Sequence, residues 1–169
     1  MRRKNKLLIC LIISCLSSLA FNLRAEKSED ITILHFGIYA HTPDNGKTWI
    51  NPISDKTINS TSLSPVHLKH TRTIPAKTPL FFGFEYQIVG IEDKLIKITS
   101  EVSHPQIRQQ DGSISSHYNE TNSFLVIDKK VTAINGYLLE TEDELKAGDW
   151  VFHLKKDGKT IATQNFTVK

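Results

Sequence analysis

The stretch that decides the fold is residues 80–89, Leu80-Phe81-Phe82-Gly83-Phe84-Glu85-Tyr86-Gln87-Ile88-Val89. A large apolar side chain occupies every second position from Leu80 to Ile88, and the positions between them are mixed. A repeat of two is the side-chain period of a β-strand, because successive side chains point to opposite faces of a sheet. The stretch therefore predicts a strand with one face in a hydrophobic core and with Phe81 on the other face.

Neighbouring segments repeat this alternation. Residues 95–104 carry Ile96, Ile98 and Val102 on one face. His104-Pro105 predicts the end of that strand, since proline cannot donate a hydrogen bond to a ladder. The β-branched and aromatic composition of residues 31–40, 66–74, 122–128 and 131–140 predicts further strands.

The last part of the chain predicts a hairpin. Trp150, Phe152 and Leu154 alternate, and Asp157-Gly158 supplies a tight turn before the returning strand. Ile161 and Phe166 have opposite parity, which predicts a bulge near Gln164.

These segments give about seven strands and no helical period long enough to shape the fold. The prediction is an all-β domain, an antiparallel immunoglobulin-like β-sandwich. A closed β-barrel is the alternative. Residues 41–65 and 105–120 are polar and contain turn-forming residues, so both are predicted to be long loops.

The first 25 residues have the composition of a secretory signal peptide. Arg2, Arg3, Lys4 and Lys6 precede an apolar run, and the small residue Ala25 precedes the charged segment that follows. We therefore expect residues 1–25 to be a cleaved signal peptide and residues 26–169 to form one β-sandwich domain, located in the periplasm or outside the cell. Lipid attachment at Cys15 is the less favoured alternative for the same segment.

Charge and cysteine content exclude several classes of partner. Residues 1–25 contain five of the 21 Lys and Arg and none of the 18 Asp and Glu, so the remaining chain has 16 basic and 18 acidic residues. No basic surface suited to nucleic acid is expected from that balance. Both cysteines, Cys10 and Cys15, lie in the same segment, so the mature domain would have no disulfide and no thiolate metal ligand.

Several short motifs together resemble a bacterial family of exported proteins, the domain of unknown function 3859. They span most of the chain beyond residue 25, and they comprise Gly37-Ile38-Tyr39, Ile74-Pro75, Phe82-Gly83-Phe84, His104-Pro105, Glu144-Leu145, Gly148-Asp149-Trp150-Val151-Phe152 and Phe166-Thr167-Val168. The resemblance implies a β-sandwich in the cell envelope and brings no activity with it.

Histidines are the residues that could bind a metal in such a domain. His67 and His70 are the closest pair, and they would chelate copper or zinc only from a turn, because positions three apart on a strand face opposite ways. His35 shares a predicted strand face with Ile31 and Ile33 and is predicted to be a buried, hydrogen-bonded histidine. We expect no cofactor, and a histidine metal site is the alternative function.

Aromatic residues are the stronger binding candidates. Phe81 lies opposite the core stripe, and Trp49 and Tyr118 fall in the predicted loops. Binding sites are common on loops carried by a rigid scaffold. The sequence contains no motif of a nucleophilic or metal-dependent enzyme. We therefore expect a non-catalytic protein without a membrane span after cleavage, which binds an envelope protein or a glycan.

Overall fold

Two large β-sheets packed face to face make up most of the part of the chain that the structure describes. The structure, a computed structural model, describes residues 29–40, 65–108 and 112–169, together with the backbone of 48–50 and 57–59. The strands are β1 (Asp30–Tyr39), β2 (Thr48–Ile50), β3 (Thr57–Asn59), β4 (His67–His70), β5 (Thr73–Ile74), β6 (Leu80–Val89), β7 (Leu95–Arg108), β8 (Ile114–Leu125), β9 (Lys130–Leu139), β10 (Gly148–Lys156) and β11 (Lys159–Val168). A short 3-10 helix, Glu142–Glu144, precedes β10.

The larger strands form one four-stranded and one five-stranded sheet. Their orders are β4-β1-β6-β9 and β5-β11-β10-β7-β8, and β2 and β3 pair with each other. The pairs are antiparallel except for β5 with β11, which are parallel. Among the described residues no ladder joins the two large sheets, so the β-sandwich prediction is confirmed and the closed barrel is wrong. The two sheets contain nine strands where the sequence predicted about seven.

The core lies between the sheets and is built from the predicted alternation. Leu80, Phe82, Phe84, Tyr86 and Ile88 of β6 are all buried, as are Ile96, Ile98 and Val102 of β7. Phe82 is at the centre of this core. Its ring meets those of Tyr137, Trp150, Phe152 and Phe166 at centroid distances of 5.4–6.4 Å, each in an edge-on arrangement. Such edge-to-face contacts are the favoured geometry of aromatic pairs.

The chain crosses from one sheet to the other on both sides of the sandwich. On one side Thr71 and Arg72 connect β4, at the edge of the four-stranded sheet, to β5 at the edge of the five-stranded sheet. On the other side residues 126–129 connect β8 to β9, which are the opposite edges of the same two sheets. Asp128 and Lys129 both have positive φ angles there, 52° and 58°, as a tight turn requires.

The prediction that His104-Pro105 ends a strand is wrong, and so is the long loop predicted for 105–120. β7 continues to Arg108, and β8 begins at Ile114 and returns beside it. The β7–β8 register shifts between Ser103 and Ile107, so His104, Pro105 and Gln106 form a bulge. A bulged residue has no ladder partner, which explains why proline is tolerated inside this strand.

Two other local predictions are also corrected by bulges. The register of β10 with β11 shifts where Leu154 pairs with Ala162 and Lys155 pairs with Thr160, so the extra residue is Ile161 and not a residue near Gln164. The predicted turn at Asp157-Gly158 is confirmed, with φ angles of 50° and 75°.

In β1 a shift between Ile33 and His35 leaves Leu34 without a ladder partner. The bulge reverses the faces of the residues that follow. His35 is therefore exposed on the outer face, and the prediction that it is buried is wrong.

His104 is buried in the bulge of β7. Its ring stacks on the Trp150 ring with 5.1 Å between the centroids, and Nδ1 lies 2.8 Å from the Pro105 carbonyl oxygen. The buried Nε2 has no hydrogen-bond partner among the residues that the structure describes. Nδ1 must carry the proton to donate to the carbonyl, so Nε2 is the unprotonated nitrogen. Burial lowers the pKa of His104, and the nearby His117 adds to this, whereas the bond to Pro105 opposes it.

Acid is therefore expected to destabilise the fold through His104. Its pKa is lower in the folded than in the unfolded state, so the unfolded chain binds more protons as the pH falls below about 6.5. The stability contributed by neutral His104 is present above that pH and decreases below it, by at most about 1.4 kcal/mol per pH unit. Urea unfolding between pH 7.5 and 5.5 should show a shallower pH slope for His104→Phe, which keeps the ring stack. Equal slopes for the two proteins would contradict this role.

Candidate functional site

A row of glycines crosses the outer face of the four-stranded sheet. Gly37 of β1 pairs with Gly83 of β6, which pairs with Gly136 of β9. A Cβ atom at any of the three would lie closer than 3.0 Å to backbone of a neighbouring strand. The row therefore forms a shallow strip without side chains, and aromatic rings from neighbouring positions lie over it.

Tyr39 and Phe81 cover this strip. Their ring centroids are 6.0 Å apart, and a Cβ atom at Gly136 would lie 2.8 Å from Cζ of Phe81, which places that ring directly over the glycine. Phe81 is thus on the outer face, as predicted, and it is half-buried by Tyr39 and the strip. Packing an aromatic ring over a strand glycine compensates for the contacts that glycine lacks.

The Tyr39 hydroxyl group completes the hydrogen bonding of the β1 bulge. It donates to the His35 carbonyl oxygen at 3.1 Å and accepts from the Glu85 amide at 3.0 Å. Burial raises the pKa of Tyr39 to about 12, although the Glu85 amide acts in the opposite direction. The hydroxyl group therefore keeps its proton at neutral pH and can act as both donor and acceptor. Tyr39 is 3% exposed, so it supports the surface and offers little of its own area to a ligand.

Three histidines gather beside these rings, where β4 pairs with β1. The His67 ring stacks on the His35 ring, with 5.0 Å between the centroids and 18° between the planes. The centroid of the His67 ring is also 5.1 Å from that of Tyr39, in an edge-on arrangement, and 6.0 Å from that of His70. His67 Nε2 is 3.1 Å from the Phe36 carbonyl oxygen. The centroid of the Phe36 ring is 3.7 Å from the centroid of the His70 ring and 4.3 Å from Cζ of the Arg72 guanidinium group. We call Tyr39, Phe81, His35, His67 and His70 together the aromatic–histidine surface.

Exposed aliphatic side chains occur along the same edge. Leu34 is the bulged residue of β1, Leu68 lies in β4, and Val66 directly precedes β4, and all three are exposed. Large apolar side chains exposed next to aromatic rings are typical of surfaces that bind other molecules. Among the described residues, this edge of the four-stranded sheet combines apolar area with groups that can form hydrogen bonds.

The structure brings together three of the five residues singled out from sequence and places a fourth on the other sheet. Phe81, His67 and His70 all belong to the aromatic–histidine surface. Tyr118 lies on the other sheet, in β8 opposite Val102, where it is half-buried against the core and its hydroxyl group donates to the Glu120 carboxylate. The prediction that Tyr118 is an exposed loop residue is therefore wrong. Trp49 falls in β2, and its side chain lies outside the described residues.

The histidines do not form a three-ligand metal site. His67 Nε2 must donate to the Phe36 carbonyl oxygen to form its hydrogen bond, which leaves only Nδ1 with a lone pair for a metal. Across the parts of the chain that the structure describes, no group of three or more His, Cys, Asp or Glu side chains is close enough to hold a metal ion. The arrangement supports contacts between surfaces and gives no support to the metal alternative.

Sequence reasoning missed Tyr39 and His35 as members of this surface. The signal for Tyr39 is the Gly-x-Tyr spacing of Gly37 and Tyr39, which puts both residues on one strand face. For His35 the signal is the switch of apolar parity from Ile31 and Ile33 to Phe36 and Ile38, which indicates a bulge between the two pairs. No titratable group of the surface is paired with a nucleophile in a catalytic arrangement that the described contacts show.

The class of the fold is shown by its similarity to a solved structure. A crystal structure of an immunoglobulin-like protein from Pseudomonas aeruginosa matches this chain with a TM-score of 0.61 and 17% sequence identity, covering 86% of this chain and 99% of that one. At this identity the likeness shows the fold alone, and it identifies the protein as an immunoglobulin-like β-sandwich.

The family follows from the sequence match. The family model described as a domain of unknown function (DUF3859) matches residues 27–168, so the chain belongs to that family and the predicted resemblance is confirmed. A search of curated proteins gives no match to this sequence. In the described part of the chain, no helix has the length and apolar character needed to cross a membrane.

Proposed function

We propose that this protein is a non-catalytic binding module of the cell envelope, exported by residues 1–25, which binds another envelope protein through the aromatic–histidine surface. The observation that carries the proposal is the collection of half-buried rings, histidines and exposed aliphatic side chains along the β1–β4 edge. Phe81, His35 and His67 supply aromatic area there, and Leu68 supplies an exposed apolar contact.

The chemistry of this edge favours a protein over a glycan as the partner. Glycans bind on flat, exposed aromatic faces, whereas the Tyr39 ring is almost entirely covered and Phe81 meets it edge-on at 66°. Protein interfaces instead combine an apolar centre with aromatic residues and a polar rim. Leu34, Val66 and Leu68 would form the apolar contacts, and the imidazole groups would supply donors and acceptors at the rim.

Photocrosslinking in cells that export the protein tests the proposal. A photoreactive residue at Leu68, which is 62% exposed, is expected to capture one recurrent envelope protein. The matched control is Leu95, which is 55% exposed on the opposite sheet and should give only background. His35→Ala/Phe81→Ala should reduce the capture at Leu68, and the recovered chain should begin at Glu26.

Other results have distinct meanings. Adducts at Leu68 that contain carbohydrate and no peptide would replace the protein partner by a glycan. Equal capture at Leu68 and Leu95, or none at Leu68, would contradict a binding role for the aromatic–histidine surface. Retention of residues 1–25 on the cytoplasmic side would contradict export.

A further inference from the structure

The edge strand β8 is long and exposed, and it carries few charged side chains. It extends over 12 residues from Ile114 to Leu125, and within the described residues it pairs with β7 on one side only. None of its residues is buried. Its sequence, Ile114-Ser115-Ser116-His117-Tyr118-Asn119-Glu120-Thr121-Asn122-Ser123-Phe124-Leu125, contains no lysine, arginine, proline or glycine. The outer backbone groups of such a strand are available to another strand.

The other sheet edges in the described residues have features that disfavour strand addition. β5 has two residues and pairs only with Thr167 and Val168, and the rest of β11 begins with Lys159 and contains the bulge at Ile161. β4 has four residues, a lysine and a bulge in its pairing with β1, and the part of β1 beyond this pairing contains the bulge at Leu34. β9 begins with Lys130 and contains Gly136. Short length, lysine and bulges are the usual means by which proteins protect sheet edges. β8 lacks all three, because its register with β7 is interrupted only by extra residues on the β7 side.

The sequence of β8 is complementary to itself in the antiparallel direction. If two copies pair about a twofold axis through Asn119, the pairs across the axis are Ile114 with Phe124, Ser115 with Ser123, Ser116 with Asn122, His117 with Thr121, and Tyr118 with Glu120. The single carboxylate of the strand then lies beside a tyrosine and not beside its own copy. Ile114, which is 57% exposed, gains an apolar neighbour. A twofold axis perpendicular to the sheet also keeps the core-facing side chains of both copies on the same side.

We propose that two copies of this chain associate through their β8 strands, pairing antiparallel about Asn119, to make one continuous ten-stranded sheet from two five-stranded sheets. Main-chain hydrogen bonds supply the association, as in other cases of strand addition. Tyr118 of one copy lies opposite Glu120 of the other, where its hydroxyl group can donate to the carboxylate that it already contacts within its own chain. This interface is on a different sheet from the aromatic–histidine surface, so both can be occupied at once.

Sedimentation of the purified protein and two charge variants tests the pairing. The unsubstituted protein is expected to be a dimer. Asn119→Lys places two ammonium groups opposite each other on the axis and should weaken dimerisation by about tenfold or more, while in the monomer the new charge lies opposite Glu101. Ser123→Lys adds the same charge to the same strand but faces Ser115 of the other copy, so the dimer should persist. A monomeric unsubstituted protein, or a dimer equally affected by both substitutions, would overturn the proposal.

A cysteine pair gives a second test that does not depend on the stability of the charged variants. Residues opposite one another in an antiparallel pair have Cα atoms about 4.5–5.5 Å apart, within the range of a disulfide. Asn119→Cys is therefore expected to form a covalent dimer under mild oxidation. Ser123→Cys should not, because its own copy would lie about 27 Å away along the strands. Equal crosslinking of both variants, measured against the unsubstituted protein, or no crosslinking of Asn119→Cys would overturn the register.

Discussion

Replacing Gly83 by alanine is expected to reduce the free energy of unfolding by about 3 kcal/mol or more. The new Cβ atom would lie closer than 3.0 Å to the Asn135 carbonyl oxygen and to Cα of Gly136. Both are backbone atoms of a paired strand, so neither can move aside without breaking the β6–β9 ladder. Since small domains have about 5–15 kcal/mol of stability in total, urea unfolding should show a large decrease in the midpoint.

Gly112→Ala is the matched control for this substitution. A Cβ atom at Gly112 meets nothing within 4 Å, so only its positive φ angle of 84° opposes the change. That strain costs about 1–2 kcal/mol. If Gly83→Ala proved no more destabilising than Gly112→Ala, the close approach of the strands along the glycine row would be wrong.

Phe82→Ala is expected to be the most damaging change within the core, at about 3–5 kcal/mol. Phe82 is fully buried, and its ring contacts four other aromatic rings. Truncation therefore leaves a cavity, because these rings belong to strands of both sheets and cannot all move inward to fill it. Differential scanning calorimetry or urea unfolding measures the loss.

Two further variants make the Phe82 measurement specific. Phe82→Leu keeps much of the volume and should cost clearly less than Phe82→Ala. Leu125→Ala removes an apolar side chain that is 69% exposed and should change stability by about 0.5 kcal/mol or less. A similar effect for Phe82→Ala and Leu125→Ala would contradict the central position of Phe82.

Much of the fold could be predicted from sequence because alternation reports burial directly. In β6 and β7 every predicted core position is buried, since a regular strand that packs on one face must place apolar residues at every second position. The turn at Asp157-Gly158 was also predictable, because few residue pairs accept two positive φ angles in succession.

Two of the errors share one physical cause, which is the β-bulge. The bulge at Leu34 exposes His35, and the bulge at His104–Gln106 lets β7 continue where a proline predicted its end. A switch of apolar parity along one strand can indicate a bulge, as it does between Ile161 and Phe166, but the residue that bulges is set by pairing between distant strands. The misplacement of Tyr118 has another cause. It pairs with Val102, inside the strand predicted at 95–104, but no residue of β8 is buried, so β8 has no apolar alternation that would indicate a strand.

The candidate site could be predicted only in part, because it depends on the register of three paired strands, β1, β6 and β9. The sequence placed Phe81 on the outer face, but it could not show that Gly37, Gly83 and Gly136 align, because these residues are far apart along the chain. The contact of Tyr39 with Phe81, and of His67 with His35, follows from that alignment. The members of the surface could thus be proposed one by one, whereas their association required the structure.

The crossings at the two lateral edges of the sandwich limit how its sheets can move. Thr71 and Arg72 link the sheets on one side, and the tight turn at Asp128 and Lys129 links them on the other. A sandwich linked on only one side can open like a hinge about that side, but here opening either side stretches a short covalent connection. Sliding of one sheet along the other is restricted in the same way. The slow collective motions of this domain should therefore be twisting of both sheets as one unit, and the space between the sheets should stay closed unless the strands themselves unpair.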